Sequence, residues 1–249
     1  MNKEFQYVLR MGDNALILGQ RMSEWCGHSP FLEEDIAMAN CALDHVGRAR
    51  MLLTHAGVLE QKGRTEDDLA FLRDEREFGN FLMCELPTGD YAFTMIRQYL
   101  LDAYHFYLYT ELQKSSNNVL VAIAAKALKE TTYHVRRSGD WVIKLGDGSE
   151  ESNQRMQGAL DEVWSYTGEL FIADEVDDFA SAEGIGPTTG LLREYWEAEV
   201  LEKLRTAKLT VPNEVWPITG GRDGIHTESM GSLLSEMQFL QRSYPGLEW

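Results

Sequence analysis

Asp13, Asp44, Asp102 and Glu130 put one carboxylate near the middle of each of four helix-patterned stretches, the raw material of a metal site. Asp102 stands three before His105 in the stretch LLDAYHFYLYTEL, residues 100–112. On a helix, residues at i and i+3 share a face. The same-face neighbours Met95, Tyr99, Phe106 and Tyr109 are apolar or aromatic, so the Asp102 carboxylate is expected to point inward, where a charge needs a partner. Four inward carboxylates, completed by histidines in Glu-x-x-His spacing on two of the helices, hold a pair of iron ions in a helix bundle. Here the histidines are missing: Gly47 follows Asp44 by three, and Tyr133 follows Glu130 by three. His105 has the right spacing but lies on a helix that normally gives only a carboxylate, and His45 and His134 fall one residue out of register. Cations stand at helical spacing from the acids instead. Arg10 precedes Asp13 by three, Arg48 follows Asp44 by four, and Lys126 precedes Glu130 by four; His105 is a further possible charge partner. A metal-free polar cluster is the favoured reading, with no residue assigned as catalytic, cofactor-binding or metal-ligating. A working di-iron centre and an error of helix register stay open beside it.

The segments that carry these four acids are helical almost throughout. Apolar residues recur with helical period, and Gly, Pro and Asn fall between the periodic segments. The pattern predicts helices from about Lys3 to Cys26, from the GHSPF stop to Ala56, from Tyr91 to Lys114 and, after SSNN, to Leu145. Ser29 is the expected N-cap of the second helix, with Pro30 at its first position. Further helices are expected around 154–173, 191–208 and 227–242. Residues of a helical hairpin at equal distance from the turn meet at one level, which pairs Asp13 with Asp44 and Asp102 with Glu130. The fold expected is all-α: a ferritin-like four-helix bundle with additional C-terminal helices, forming one domain over 1–249.

A net charge of −17 opposes a phosphate backbone, so nucleic acid is excluded as a partner. No apolar run approaches the length of a membrane span, and the N-terminus lacks a basic segment followed by an apolar core, so a cytoplasmic protein without a membrane partner is expected. Cys26, Cys41 and Cys84 form no CxxC pair and read as small buried hydrophobes. The glycine-rich TGGRDG, 219–224, fits neither a P-loop nor a dinucleotide fingerprint; it reads as a loop entering the last helix, with a docking loop as the sharper alternative. Arg136 and Arg137 read as a solvated or salt-bridged helix face rather than an anion contact. Trp164, Tyr195 and Trp196 read as core.

Long segments spread in order along the chain carry a resemblance that no short motif could. RMGDNALILGQRMSEWCGH, CALDHVGRAR, FLRDEREFGNFL, QYLLDAYHFYLY, KETTYHVRR, GELFIADEVD and GIHTESMGSLLSEMQFLQRSYPGLEW are similar to the PaaC-type structural subunits of bacterial phenylacetyl-CoA epoxidases, within the ferritin-like multicomponent monooxygenases. The resemblance implies a subunit without a cofactor of its own. It implies pairing with a homologous PaaA-type catalytic subunit that holds the di-iron centre, further epoxidase subunits, and a separate reductase that supplies electrons from NADPH. An autonomous carboxylate-bridged di-iron oxidase or oxygenase is the alternative.

Overall fold

The structure, a computed structural model, describes residues 2–213 and 215–247. Among them it is all-α, with eleven α-helices in chain order: α1 Lys3–Ser23, α2 Leu32–Glu60, α3 Glu66–Phe71, α4 Leu82–Glu85, α5 Tyr91–Leu112, α6 Asn118–Gly146, α7 Glu150–Val163, α8 Glu175–Ala182, α9 Thr189–Thr206, α10 Glu228–Met237 and α11 Phe239–Ser243. Two compact units contain them: Thr88–Ile218, and Met1–Pro87 together with Thr219–Trp249. No described helix is long and apolar enough to cross a membrane.

Helix starts follow from local chemistry. The side chains of Asn2, Asp90, Asn117, Ser149 and Thr188 each accept a hydrogen bond from a backbone N–H of the following first turn, and Thr65 with Asp68 and Asp174 with Asp177 form capping boxes. The expected cap at Ser29 is corrected: α2 starts at Leu32 after Phe31. The Asp35 carboxylate in its first turn accepts instead from the Gly27 backbone N–H, at 2.8 and 3.0 Å, and that bond shapes the connection. The expected helix over 154–173 breaks at Trp164 into α7 and a 3-10 segment, Trp164–Phe171, while the short helices α3, α4 and α8 lie in stretches without a clear helical period.

In the first unit α1 and α2 form an antiparallel hairpin. A Cβ on Gly12 would meet Leu53, and one on Gly19 would meet His45 and Val46, so α1 and α2 approach closely at these glycines. The register these contacts set puts Asp13 opposite Leu52 and Asp44 opposite Arg21, about eight residues or roughly 12 Å apart along the axis. Asp13 and Asp44 therefore do not share a level. The connection between the helices is not a symmetric turn, and the first turns of α2 run on past the end of α1.

The second unit is built on α5, which is buried on all sides: seventeen of its 22 residues are enclosed, which marks it as the central helix rather than an amphipathic one. It packs with α6, α7 and α9. Trp196 on α9 is core and its indole N–H donates to the Leu100 carbonyl at 2.8 Å, but Tyr195 is exposed and Trp164 only half-buried. Arg137 is largely buried and donates to the Tyr91 hydroxyl at 3.3 Å, whereas Arg136 is exposed. Cys41 and Cys84 are buried, and Cys26 is exposed in the α1–α2 connection, against the expectation for it.

Candidate functional site

The buried face of α2 runs through Cys41, His45, Arg48 and Leu52, and that of α6 through Ala127, Thr131, His134 and Ser138. Each series steps by three or four, as one helix face must. Asp44 and Glu130 sit one position off these faces and are only half-buried. Gly47 is half-buried and Tyr133 is 43% exposed, so neither third-residue position offers a ligand. His45 and His134 take the enclosed positions instead, at 0% and 1% exposure. That shift of one residue is legible in the stepping of the small and apolar neighbours, not in the spacing of the acids.

Asp13 is fully buried on α1, and the cation set against it is Arg73, which stands inside a run of mixed acidic and basic residues. Both Asp13 oxygens are engaged: Oδ1 by Arg73 Nη2, Oδ2 by Arg73 Nη1 at 3.1 Å and by the Gly79 backbone N–H at 2.9 Å. Arg73 also donates to the Leu69 and Glu77 carbonyls and lies 4.0 Å from the centre of the Phe78 ring. A guanidinium filled in this way holds the 69–79 segment onto α1. Arg10 runs beside it, its Cγ close to Gly79.

In the second unit Asp102 is 1% exposed. Its Oδ1 accepts from Gln98 Nε2 at 2.6 Å, its Oδ2 accepts from Ser138 Oγ at 2.8 Å, and His134 Nδ1 stands 4.0 Å from Oδ1. Asp102 thus meets α6 at His134 and Ser138, not at Glu130, because Tyr99 faces Gly139 and fixes the register there. Glu130 pairs with Lys126 at 3.7 Å, where Lys126 is 58% exposed. His105 is buried between Tyr104 and Tyr109, its ring stacked on Tyr109 at 6.0 Å. Spacing of acids and histidines does not single out Ser138 or Gln98, although Gln98 stands four before Asp102 and Ser138 four after His134.

The residues do not fit the Glu-x-x-His di-iron pattern. Gly47 and Tyr133 replace its histidines, Asp13 is closed off by a guanidinium fork, and neither Asp44 nor Glu130 is fully enclosed.

A second buried pair joins the two chain segments of the first unit. Glu85 on α4 is fully enclosed; its Oε2 accepts from Asn80 Nδ2 at 2.9 Å and His226 Nδ1 at 2.8 Å, and its Oε1 from the Thr227 backbone N–H at 2.5 Å. The other ring nitrogen of His226 faces the Phe78 carbonyl at 3.1 Å. Two acceptors on opposite ring nitrogens require two N–H donors, which only the imidazolium supplies. Burial pulls the His226 pKa down, but the Glu85 carboxylate and the Phe78 carbonyl outweigh it and hold the group above its ordinary value.

Replacing Arg73 by Met leaves Asp13 buried without its cation and is expected to cost about 3–5 kcal/mol in urea unfolding, whereas Lys126→Met should stay within about 0.5 kcal/mol because that lysine is exposed. Equal effects of the two substitutions would contradict the assignment of Arg73. For His226, a raised folded pKa means that its stabilisation is complete below the ordinary value of 6.5 and is lost as pH climbs through the folded value. Wild-type unfolding free energy should fall across that rise relative to the His226→Gln variant. Parallel pH profiles for the two proteins would show that no charged His226 is bound.

The phenylacetic acid catabolic protein family model, which covers PaaA and PaaC chains, matches residues 1–249. The chain is 50% identical over 249 residues, the full length of both proteins, to the C subunit of the 1,2-phenylacetyl-CoA epoxidase of Escherichia coli (strain K12). Both matches run from end to end, through all the segments that carry the resemblance in the sequence, and this chain belongs to the PaaA/PaaC family of phenylacetic acid catabolic proteins.

Proposed function

We propose that this chain is the C-type, non-catalytic structural subunit of a cytoplasmic phenylacetyl-CoA epoxidase in aerobic phenylacetate degradation. In this reading it supports a homologous chain that holds the di-iron centre, other epoxidase subunits complete the assembly, and a reductase brings electrons from NADPH. The 50% identity over 249 residues to the C subunit of such an enzyme supports the assignment. The observation that carries the non-catalytic role is the closure of Asp13 by Arg73 together with Gly47 and exposed Tyr133 where ligating histidines would stand. An autonomous di-iron oxidase would need those positions, and the chain's own groups already occupy or vacate them.

A subunit that works by pairing needs a surface for its partner, and α2 offers one. Leu32, Ile36 and Leu43 are 69%, 54% and 67% exposed, and with Val46 they fall on one face of the helix. Exposed apolar stripes of this kind mark interaction surfaces. The first part of the stripe lies on the turns that run past α1, so the hairpin itself does not cover it.

The test is co-purification of the tagged chain with its catalytic partner. Leu43→Lys should leave the isolated chain's stability within about 0.5 kcal/mol, as expected for a surface position. It should weaken the complex by about 2 kcal/mol or more, roughly thirtyfold, because a lysine would be buried in an apolar contact. An unchanged complex would remove α2 as the docking face. Full epoxidation by the catalytic chain and reductase without this chain would overturn the subunit reading itself.

A further inference from the structure

The first unit contains a cleft of about 410 Å³, a size typical of small-molecule sites. Its wall is assembled from four separate stretches: one side of α1, the end of α2 with the turn after it, the 73–79 segment that Arg73 anchors, and the TGGRDG loop. The loop is fitted onto its neighbour at backbone distance. A Cβ on Gly221 would overlap the Asn80 carbonyl oxygen, and one on Gly224, where φ is +70°, would overlap that of Arg76. Only glycine allows this approach. The result is that Arg222 sits over the Phe81 ring at 4.7 Å and reaches the edge of the cleft.

Charge in this cleft runs against the rest of the chain. Six cations line it, Arg10, Lys62, Arg64, Arg73, Arg76 and Arg222, out of 23 lysines and arginines in a protein of net charge −17. Four carboxylates line it with them, Asp13, Glu60, Glu77 and Asp223, leaving an excess of two positive charges. Asp13 belongs to Arg73, and Glu60 is gripped through two bonds by Arg64 at 2.7 and 2.5 Å. Arg64 beside it holds the Glu60 carboxyl below its ordinary pKa, so that acid stays ionised and fixes Arg64 in the wall. Glu77 accepts from the Asp74 backbone N–H at 2.8 Å. Half-buried Leu9 offers apolar surface beside the charged rim, while Phe5 and Phe78 are almost wholly enclosed.

We propose that this cleft binds a small organic phosphate, its phosphate or pyrophosphate group against the arginine rim and a compact apolar moiety against Leu9. Guanidinium groups arriving from α1, from the 60–64 turn, from the 73–79 segment and from the TGGRDG loop approach from different directions. A planar carboxylate serves one fork at a time, whereas the oxygens of a tetrahedral dianion can serve several. The excess of two positive charges matches that dianion. A local positive cleft is also what an anion needs to approach a chain whose overall field repels it.

The experiment is isothermal titration of the full chain with inorganic pyrophosphate, phenyl phosphate and inorganic phosphate at about 10 mM ionic strength, where charges act over roughly 30 Å. Saturable one-to-one binding is expected, tighter for phenyl phosphate than for inorganic phosphate, and lost at about 1 M salt. Arg76→Glu, at an exposed position, and Arg222→Gln should each weaken it about tenfold or more while the circular dichroism spectrum stays native. Arg205→Gln on α9, outside the cleft, should leave it unchanged. Absence of saturable binding by pyrophosphate and phenyl phosphate overturns the proposal, as does binding that survives both cleft substitutions or falls equally with Arg205→Gln. A poly-glutamate peptide that binds the cleft more tightly than any of the phosphates would assign it to an acidic protein segment and overturn the small-molecule reading.

Discussion

A carboxylate taken out of water must be neutralised, and in the first unit the pairing of Asp13 with Arg73 sets the path of the chain around it. Breaking such a buried pair from one side costs about 3–5 kcal/mol, a large share of the stability of a domain. Arg73 cannot meet Asp13 unless the 69–79 segment lies along α1. Once there, Gly79 donates to the same carboxylate, and the Phe81 backbone N–H donates to the Asn14 side chain at 2.7 Å. Arg21 donates to the Glu85 carbonyl at 2.9 Å and to the Ser229 carbonyl at 3.0 Å. Glu85 in turn binds His226 and Thr227, at the start of α10. One face of α1 therefore organises an irregular, polar stretch of chain that has little helix propensity of its own.

In the second unit Asp102 receives Gln98 from its own helix and Ser138 from the facing one, with His134 Nδ1 4.0 Å away. Each of the two buried carboxylates thus accepts hydrogen bonds from side chains of its own unit.

Long helices are legible in the sequence because their apolar period is strong and their breakers, GHSPF, LPTGD, SSNN and GDGSEES, fall between them. The levels of the acids are not. Distance from a turn gives a level only when the turn is symmetric, and here the contacts of Gly12, Gly19 and Gly139 set registers that separate Asp13 from Asp44 and place Asp102 beside His134 and Ser138. His45 and His134 look out of place when spacing is counted from the acids, although the burial stepping of α2 and α6 runs through them. Arg73 and His226 lie beyond the reach of helical spacing altogether, because each meets its carboxylate across a long separation in sequence. TGGRDG is readable as a loop, but its close approach to 76–82 exists only in three dimensions.

The proposal that this chain balances its buried acids with its own side chains and holds no iron stands or falls on iron analysis of the chain expressed alone in iron-replete cells and purified without chelators. Far less than one iron atom per chain and no carboxylate-bridged di-iron absorption are expected; about two iron atoms per chain, retained through gel filtration, would overturn it.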